Sequence, residues 1–163
     1  MTARPRGELV LRLATIATLV ICGAGSYDHA VLVTAWTANP PDSIAMFHGP
    51  YALDMGAWWT KIHGPTLLLM IAALALLWGQ TRRRHVAAAL VIYAHVLVVT
   101  LAWFVPELLT LTTDPNAGIP LAEWKARADR WELWSLVRLA VMYGVAALLL
   151  RAVAEPSTPR AAS

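Results

Sequence analysis

The sequence predicts an all-α membrane protein: a polytopic four-helix bundle with both termini cytoplasmic and a structured outer loop between helices one and two. Three observations predict it. The 163 residues are 58% hydrophobic and only 14% charged, whereas soluble domains run to about a quarter charged. Four long apolar runs divide the chain. Lysine and arginine are distributed unevenly about those runs.

The runs cover residues 9–29, 58–78, 86–107 and 131–150. Each is long enough to cross roughly 30 Å of hydrocarbon at about 1.5 Å per helical residue. They are continuous rather than alternating, which favours helices over a barrel. The first run can continue as helix toward Trp36. The third carries no charge from Val86 to Pro106 and is broken only by Tyr93, His95 and Thr100. The fourth, beyond Glu132 at its start, holds a single charge, Arg138. Residues 1–154 therefore read as one transmembrane domain. Residues 155–163, with two prolines among small polar residues, read as a disordered cytoplasmic tail.

The connections differ in kind. Gly79 to His85 is a short basic turn. Thr37 to Ala57 is long and rich in proline and glycine, which predicts a turn-rich lid. Its apolar residues Met46, Phe47, Tyr51, Leu53 and Met55 should fold back onto the bundle. Thr113 to Arg130 is a mixed-charge loop with Pro115, Gly118 and Pro120 as breakers. Within it, Ala122 to Arg130 has helix propensity and can extend the fourth helix outward.

Arg4, Arg6, Arg12, Arg82, Arg83, Arg84, Arg151 and Arg160 fall on one side of this arrangement. Lys61, Lys125, Arg127 and Arg130 fall on the other. Eight against four places the termini and the basic turn in the cytoplasm. The composition, rich in Ala, Leu and Arg, suggests a GC-rich bacterium, in which such a protein is expected in the inner membrane. A secretory signal peptide is the rival reading of the N-terminus, but Arg12 and the three later spans favour a retained first helix. The single cysteine, Cys22, excludes a disulfide framework within the chain. No phosphate loop, nucleophile elbow, HExxH or CxxC occurs. Topology explains the arginine run, so no nucleic-acid partner is expected.

Polar groups in a membrane span are costly and point to function. Asp28 and His29 close the first run, His63 opens the second, and Glu107 ends the third. Arg127, Trp131, Glu132, Trp134 and Arg138 line the start of the fourth. In antiparallel helices these sets lie at similar depth, which predicts a polar pocket in the outer leaflet. A bare guanidinium at Arg138 would cost about 3 kcal/mol, so Glu107 is its expected partner. The plainer reading of that pair is a register-fixing ion pair. His63, in the context KIHGP, is either an interfacial capping residue or a general base aided by Asp28 or Glu107. The catalytic candidates are thus His63, Glu107, Arg138 and Asp28. The ligand-binding candidates are Trp131, Trp134, Arg127 and Trp59. His48 and His63 are the candidate metal ligands, with Asp54 and Asp28 beside them. His95, at the middle of the third span, should be neutral and bonded to a neighbouring helix; haem ligation is the alternative. Trp36, Trp58, Trp59, Trp124, Trp131 and Trp134 fall toward the outer side and Trp78 toward the inner. An aromatic belt is the plain explanation; an aromatic-lined pocket for a flat ligand also explains the imbalance.

Some of these residues carry a resemblance. Phe104-Val105-Pro106-Glu107, Arg127, Trp131-Glu132-Leu133-Trp134 and Val137-Arg138, with NPPDSIAMFHGPYALD and WWTKIHGP earlier in the chain, resemble a family of small four-helix membrane proteins. That family includes the fungal anthrone oxygenases. The resemblance implies a four-helix fold and oxidation of a polycyclic aromatic substrate without a bound organic cofactor. The resulting expectation is an oxidoreductase or oxygenase-like protein binding an apolar aromatic or quinone-like molecule. The alternatives are a non-catalytic accessory subunit of a larger membrane complex and a metal or haem carrier. Expected partners are the lipid bilayer and either further copies of the chain or such a complex.

Overall fold

The computed structural model describes residues 3–113 and 118–156, with side chains from Arg6 onward. Pro115, Arg160, the side chain of Arg4 and the tail at 157–163 lie outside the described residues. The first long helix, α1, is regular over Ala3–Tyr27, widens into π-helical turns over Asp28–Val33 and ends as α-helix over Thr34–Thr37. A 3-10 helix, Asp42–Phe47, lies in the following loop. Then come α2, Gly56–Leu76, and α3, which is α-helical over Arg83–Val99, π-helical over Thr100–Phe104 and α-helical again over Val105–Thr112. The last helix, α4, runs over Leu121–Ala154. These four helices are long and apolar enough to cross a membrane.

Local chemistry sets several of these boundaries. Gly79 adopts φ +79° just past the end of α2, a conformation that favours glycine and stops a helix. Pro106 lacks an N–H, and its ring crowds the carbonyl four residues back. The backbone loosens into π turns immediately before it. The Phe104 carbonyl there accepts the Trp131 indole N–H at 3.0 Å. As the helix propensity of Ala122 to Arg130 suggests, α4 begins well before residue 131.

Each helix packs on its neighbours in sequence, and α1 closes the ring on α4. Gly25 permits that closure: a Cβ there would lie 3.1 Å from Leu139 Cδ1. Leu11, Ala14, Cys22, Met70, Tyr93, Val145 and Leu149 fill the bundle interior. A second core forms at the end holding the two longer loops. It comprises Val33, Trp36, Ile44, Phe104, Leu111, Trp124, Ala128 and Trp131. Leu68, Val91, Leu101 and Leu133 face outward. An apolar exterior of this kind suits a hydrocarbon surround.

The first loop is structured, as its turn residues predict. Ile44 is buried, and Met46 and Phe47 pack against the second core. Ser43 Oγ donates to the Trp36 carbonyl at 2.7 Å. Tyr51, however, is 95% exposed, and Leu53 is exposed too; these two do not fold back. At the other end, Glu155 belongs to the folded part rather than to a disordered tail. It meets His85 Nε2 at 3.2 Å and Arg84 at 3.8 Å.

Candidate functional site

The polar side chains do not gather at one depth. They form three tiers along α3, at Tyr93, Thr100 and Glu107. Seven residues separate each from the next, about 10 Å of helix.

At the upper tier Glu107 accepts two hydrogen bonds from Arg127, from Nε and Nη2, both at 2.7 Å. Arg130 lies 3.8 Å from the same carboxylate. Glu107 therefore does not pair with Arg138, contrary to expectation. Arg127 precedes Arg138 by eleven residues, about three turns of α4, and one carboxylate cannot serve both levels. The fork geometry is the strong form of a charged hydrogen bond. Glu107→Gln keeps the shape but loses one acceptor and the charge. We expect it to destabilise the protein by about 1.5–3 kcal/mol, read as a lowered denaturation midpoint in detergent. An unchanged midpoint would remove this clamp from the account.

At the middle tier Arg138 reaches Thr100 Oγ1 and Ser135 Oγ, each at 3.3 Å. Its guanidinium lies 4.1 Å over the Phe104 ring and 6.0 Å from the Trp131 ring. Among the described residues no carboxylate forms an ion pair with it. Glu107 is held by Arg127, and Glu132 lies 3.9 Å from His29. Asp28 is within electrostatic reach only. Both π-helical segments border this tier: Asp28–Val33 supplies Asp28 and His29, and Thr100–Phe104 supplies Thr100 and Phe104. Such segments occur often at functional sites.

At the lower tier His63 Nδ1 and the Tyr93 hydroxyl are 2.7 Å apart. The imidazole stacks on Trp59, with centroids 5.7 Å apart and planes at 21°. The partner of His63 is thus Tyr93, not Asp28 or Glu107. His48 is engaged elsewhere, with the Thr112 carbonyl at 2.9 Å, and Asp54 caps the backbone N–H of Ala57 at 3.0 Å. Among the described residues, no three histidine, cysteine or acidic side chains converge on a possible metal site.

The tryptophans toward the two longer loops divide. Trp36, Trp124 and Trp131 are buried and pack edge to face, with centroids 5.6–5.7 Å apart around Trp36. Trp131 and Trp124 spend their indole N–H groups on the carbonyls of Phe104 and Leu111. Trp131 is therefore enclosed in the core and offers no open face for stacking. The space lies instead on the side of the bundle, as a groove of about 280 Å³ between α3 and α4. His95, Val99, Trp103 and Phe104 line it from α3, and Trp134 and Arg138 from α4. It is a lateral opening rather than a pocket beneath the two longer loops.

His95 departs most from expectation. It is exposed in this groove and makes no hydrogen bond among the described residues. Trp103 also lines the groove and stacks edge-on against Phe104 at 4.6 Å. Nothing in the sequence separates it from an ordinary span residue, except that it precedes Pro106 within the loosened turn. Comparison with protein-family models, curated proteins and solved structures gives no match to this chain.

Proposed function

We propose that this chain is a multi-pass membrane protein that binds a flat, apolar, aromatic or quinone-like molecule in the groove between α3 and α4. The observation that carries the reading is Arg138. Its cation sits within an apolar helix bundle and, among the described residues, has no carboxylate ion-pair partner. It borders a groove of about 280 Å³ whose walls are Trp103, Phe104, Trp134 and valines. A lone guanidinium at such a place is costly, and a ligand oxygen would offset that cost through charge-assisted hydrogen bonds. The aromatic walls suit a planar ring.

Arg82, Arg83, Arg84 and Arg151 mark one end of the helices, and Lys61, Arg127 and Arg130 the other. By charge bias the first end is cytoplasmic, in a bacterial inner membrane, with both termini there. The groove then opens sideways into the outer half of the bilayer. Oxidoreductase chemistry rests on the resemblance to the anthrone oxygenase family. In that extension His63 and Tyr93 would handle protons.

A photoreactive naphthoquinone in lipid nanodiscs tests the binding. It should label the α3 and α4 peptides around Trp103 and Trp134, and Arg138→Leu should cut that labelling about tenfold or more. Labelling spread evenly over the exterior of all four helices, and unchanged in the variant, would contradict the reading.

A further inference from the structure

We infer that the basic turn between α2 and α3, at the opposite end of the helices from Glu107, binds the phosphate of an anionic phospholipid. A recess of about 160 Å³ lies at this turn, lined by Gln80, Thr81, Arg83, Arg84 and Ala87. One water needs about 10–15 Å³, so the recess has room for a larger polar group.

The side chains set what that group must be. Arg82 Nε donates to Gln80 Oε1 at 2.9 Å. The amide oxygen of Gln80 is thereby engaged, and its NH2, which only donates, is left for a ligand. Arginine too only donates. No carboxylate lines the recess, although Glu155 meets Arg84 and His85 nearby. Among the described residues neither Arg82 nor Arg83 forms an ion pair. Arg82 is 1% exposed, and its Nη2 and the Nε of Arg83 are buried without a hydrogen-bond partner. Charge bias accounts for arginines at this end. It does not call for burying one of them, nor for a donor-lined recess beside it. Cations held out of water are weakly screened, and an anion in the recess offsets their cost.

A lipid fits better than a soluble anion because of what adjoins the recess. The Arg83 guanidinium lies 3.6 Å over the ring of Trp78. That indole is exposed, and tryptophan is enriched at the membrane–water boundary. Ala87 continues the recess wall along α3. Val91, four residues further into the span on the same face, is exposed. A phosphate in the recess thus has apolar helix surface below it for acyl chains. Anionic lipids are drawn to basic groups placed in this way at the end of a span.

Competition against a fluorescent phosphatidylglycerol tests the site, on full-length protein in mild detergent at about 0.5 M salt, which screens diffuse attraction. Unlabelled phosphatidylglycerol should compete about tenfold better than phosphatidylcholine, whose choline cancels the charge. Glycerol 3-phosphate, which lacks the chains, should compete at least about a hundredfold more weakly. Arg83→Gln should weaken binding about tenfold. Arg84→Gln, at an exposed side chain outside the packed interior, should weaken it about fivefold. Arg151→Gln removes the same charge at the same end but outside the recess wall, and should change binding less than about twofold. Equal competition by phosphatidylcholine overturns the site. Equal losses in all three variants reduce it to general charge and overturn it too. Glycerol 3-phosphate competing as well as the lipid overturns the lipid assignment.

Discussion

Trp36→Ala should lower the stability of the purified protein by about 3–5 kcal/mol, the largest loss expected from a single side chain. Trp36 is 0% exposed and sits edge-on to Trp124 and Trp131 at 5.7 and 5.6 Å. It joins the end of α1 to α4 and to Ile44 of the 3-10 helix. Truncation leaves a cavity that the stiff rings around it cannot close, and it forfeits aromatic contacts worth about 0.5–1.5 kcal/mol per pair. Trp36→Phe provides the contrast. The Trp36 indole N–H is buried and has no hydrogen-bond partner among the described residues. Losing it removes an unsatisfied donor, so phenylalanine should recover most of the stability. Denaturant titration in a mild detergent measures both. Alanine and phenylalanine variants of equal stability would mean that the tryptophan cluster does not hold this end together.

Arg138→Leu should do the opposite to stability and abolish ligand binding. Arginine at mid-span costs about 2.5–3.5 kcal/mol on insertion scales, whereas leucine is favourable there. The wild-type contacts that offset this are two 3.3 Å hydrogen bonds to hydroxyls and a stacking contact over Phe104. Losing them leaves little unsatisfied. Thr100 Oγ1 still donates to the Val96 carbonyl at 2.7 Å, and Ser135 can turn to the backbone one turn back. The variant should therefore be as stable as wild type or up to about 2 kcal/mol more stable. Replacing a charge that held the bundle together would instead cost several kcal/mol. A marked loss of stability would make Arg138 a structural residue.

The four helices were legible in the sequence because a span needs about 20 apolar residues and nothing else in a short chain imitates that run. The extension of α4 followed from propensity in Ala122 to Arg130. The polar pairings were not legible. The sequence offers Glu107 three arginines on α4, at 127, 130 and 138, and only the rotation and height of that helix against α3 select Arg127. The π turn before Pro106 shifts the facing of residues beyond it, which periodicity cannot register. The partner of His63 was missed for a related reason. Tyr93 read as one interruption in an apolar run, and only the packing of α2 on α3 brings its hydroxyl to 2.7 Å. His95 looked like an interior residue because mid-span position gives depth but not direction. Its place on the groove wall depends on which face of α3 turns outward.

In the proposed function Arg138 is kept for a ligand at a cost in stability. The most direct measurement is thermal unfolding of wild type and Arg138→Leu in nanodiscs, each with and without a saturating para-naphthoquinone. Wild type should be stabilised by about 2.7 kcal/mol at a hundredfold excess over its dissociation constant. The variant should start at least as stable and should not respond to the quinone. A variant that is stabilised as strongly as wild type, or one that unfolds earlier and leaves wild type equally unresponsive, would contradict the claim.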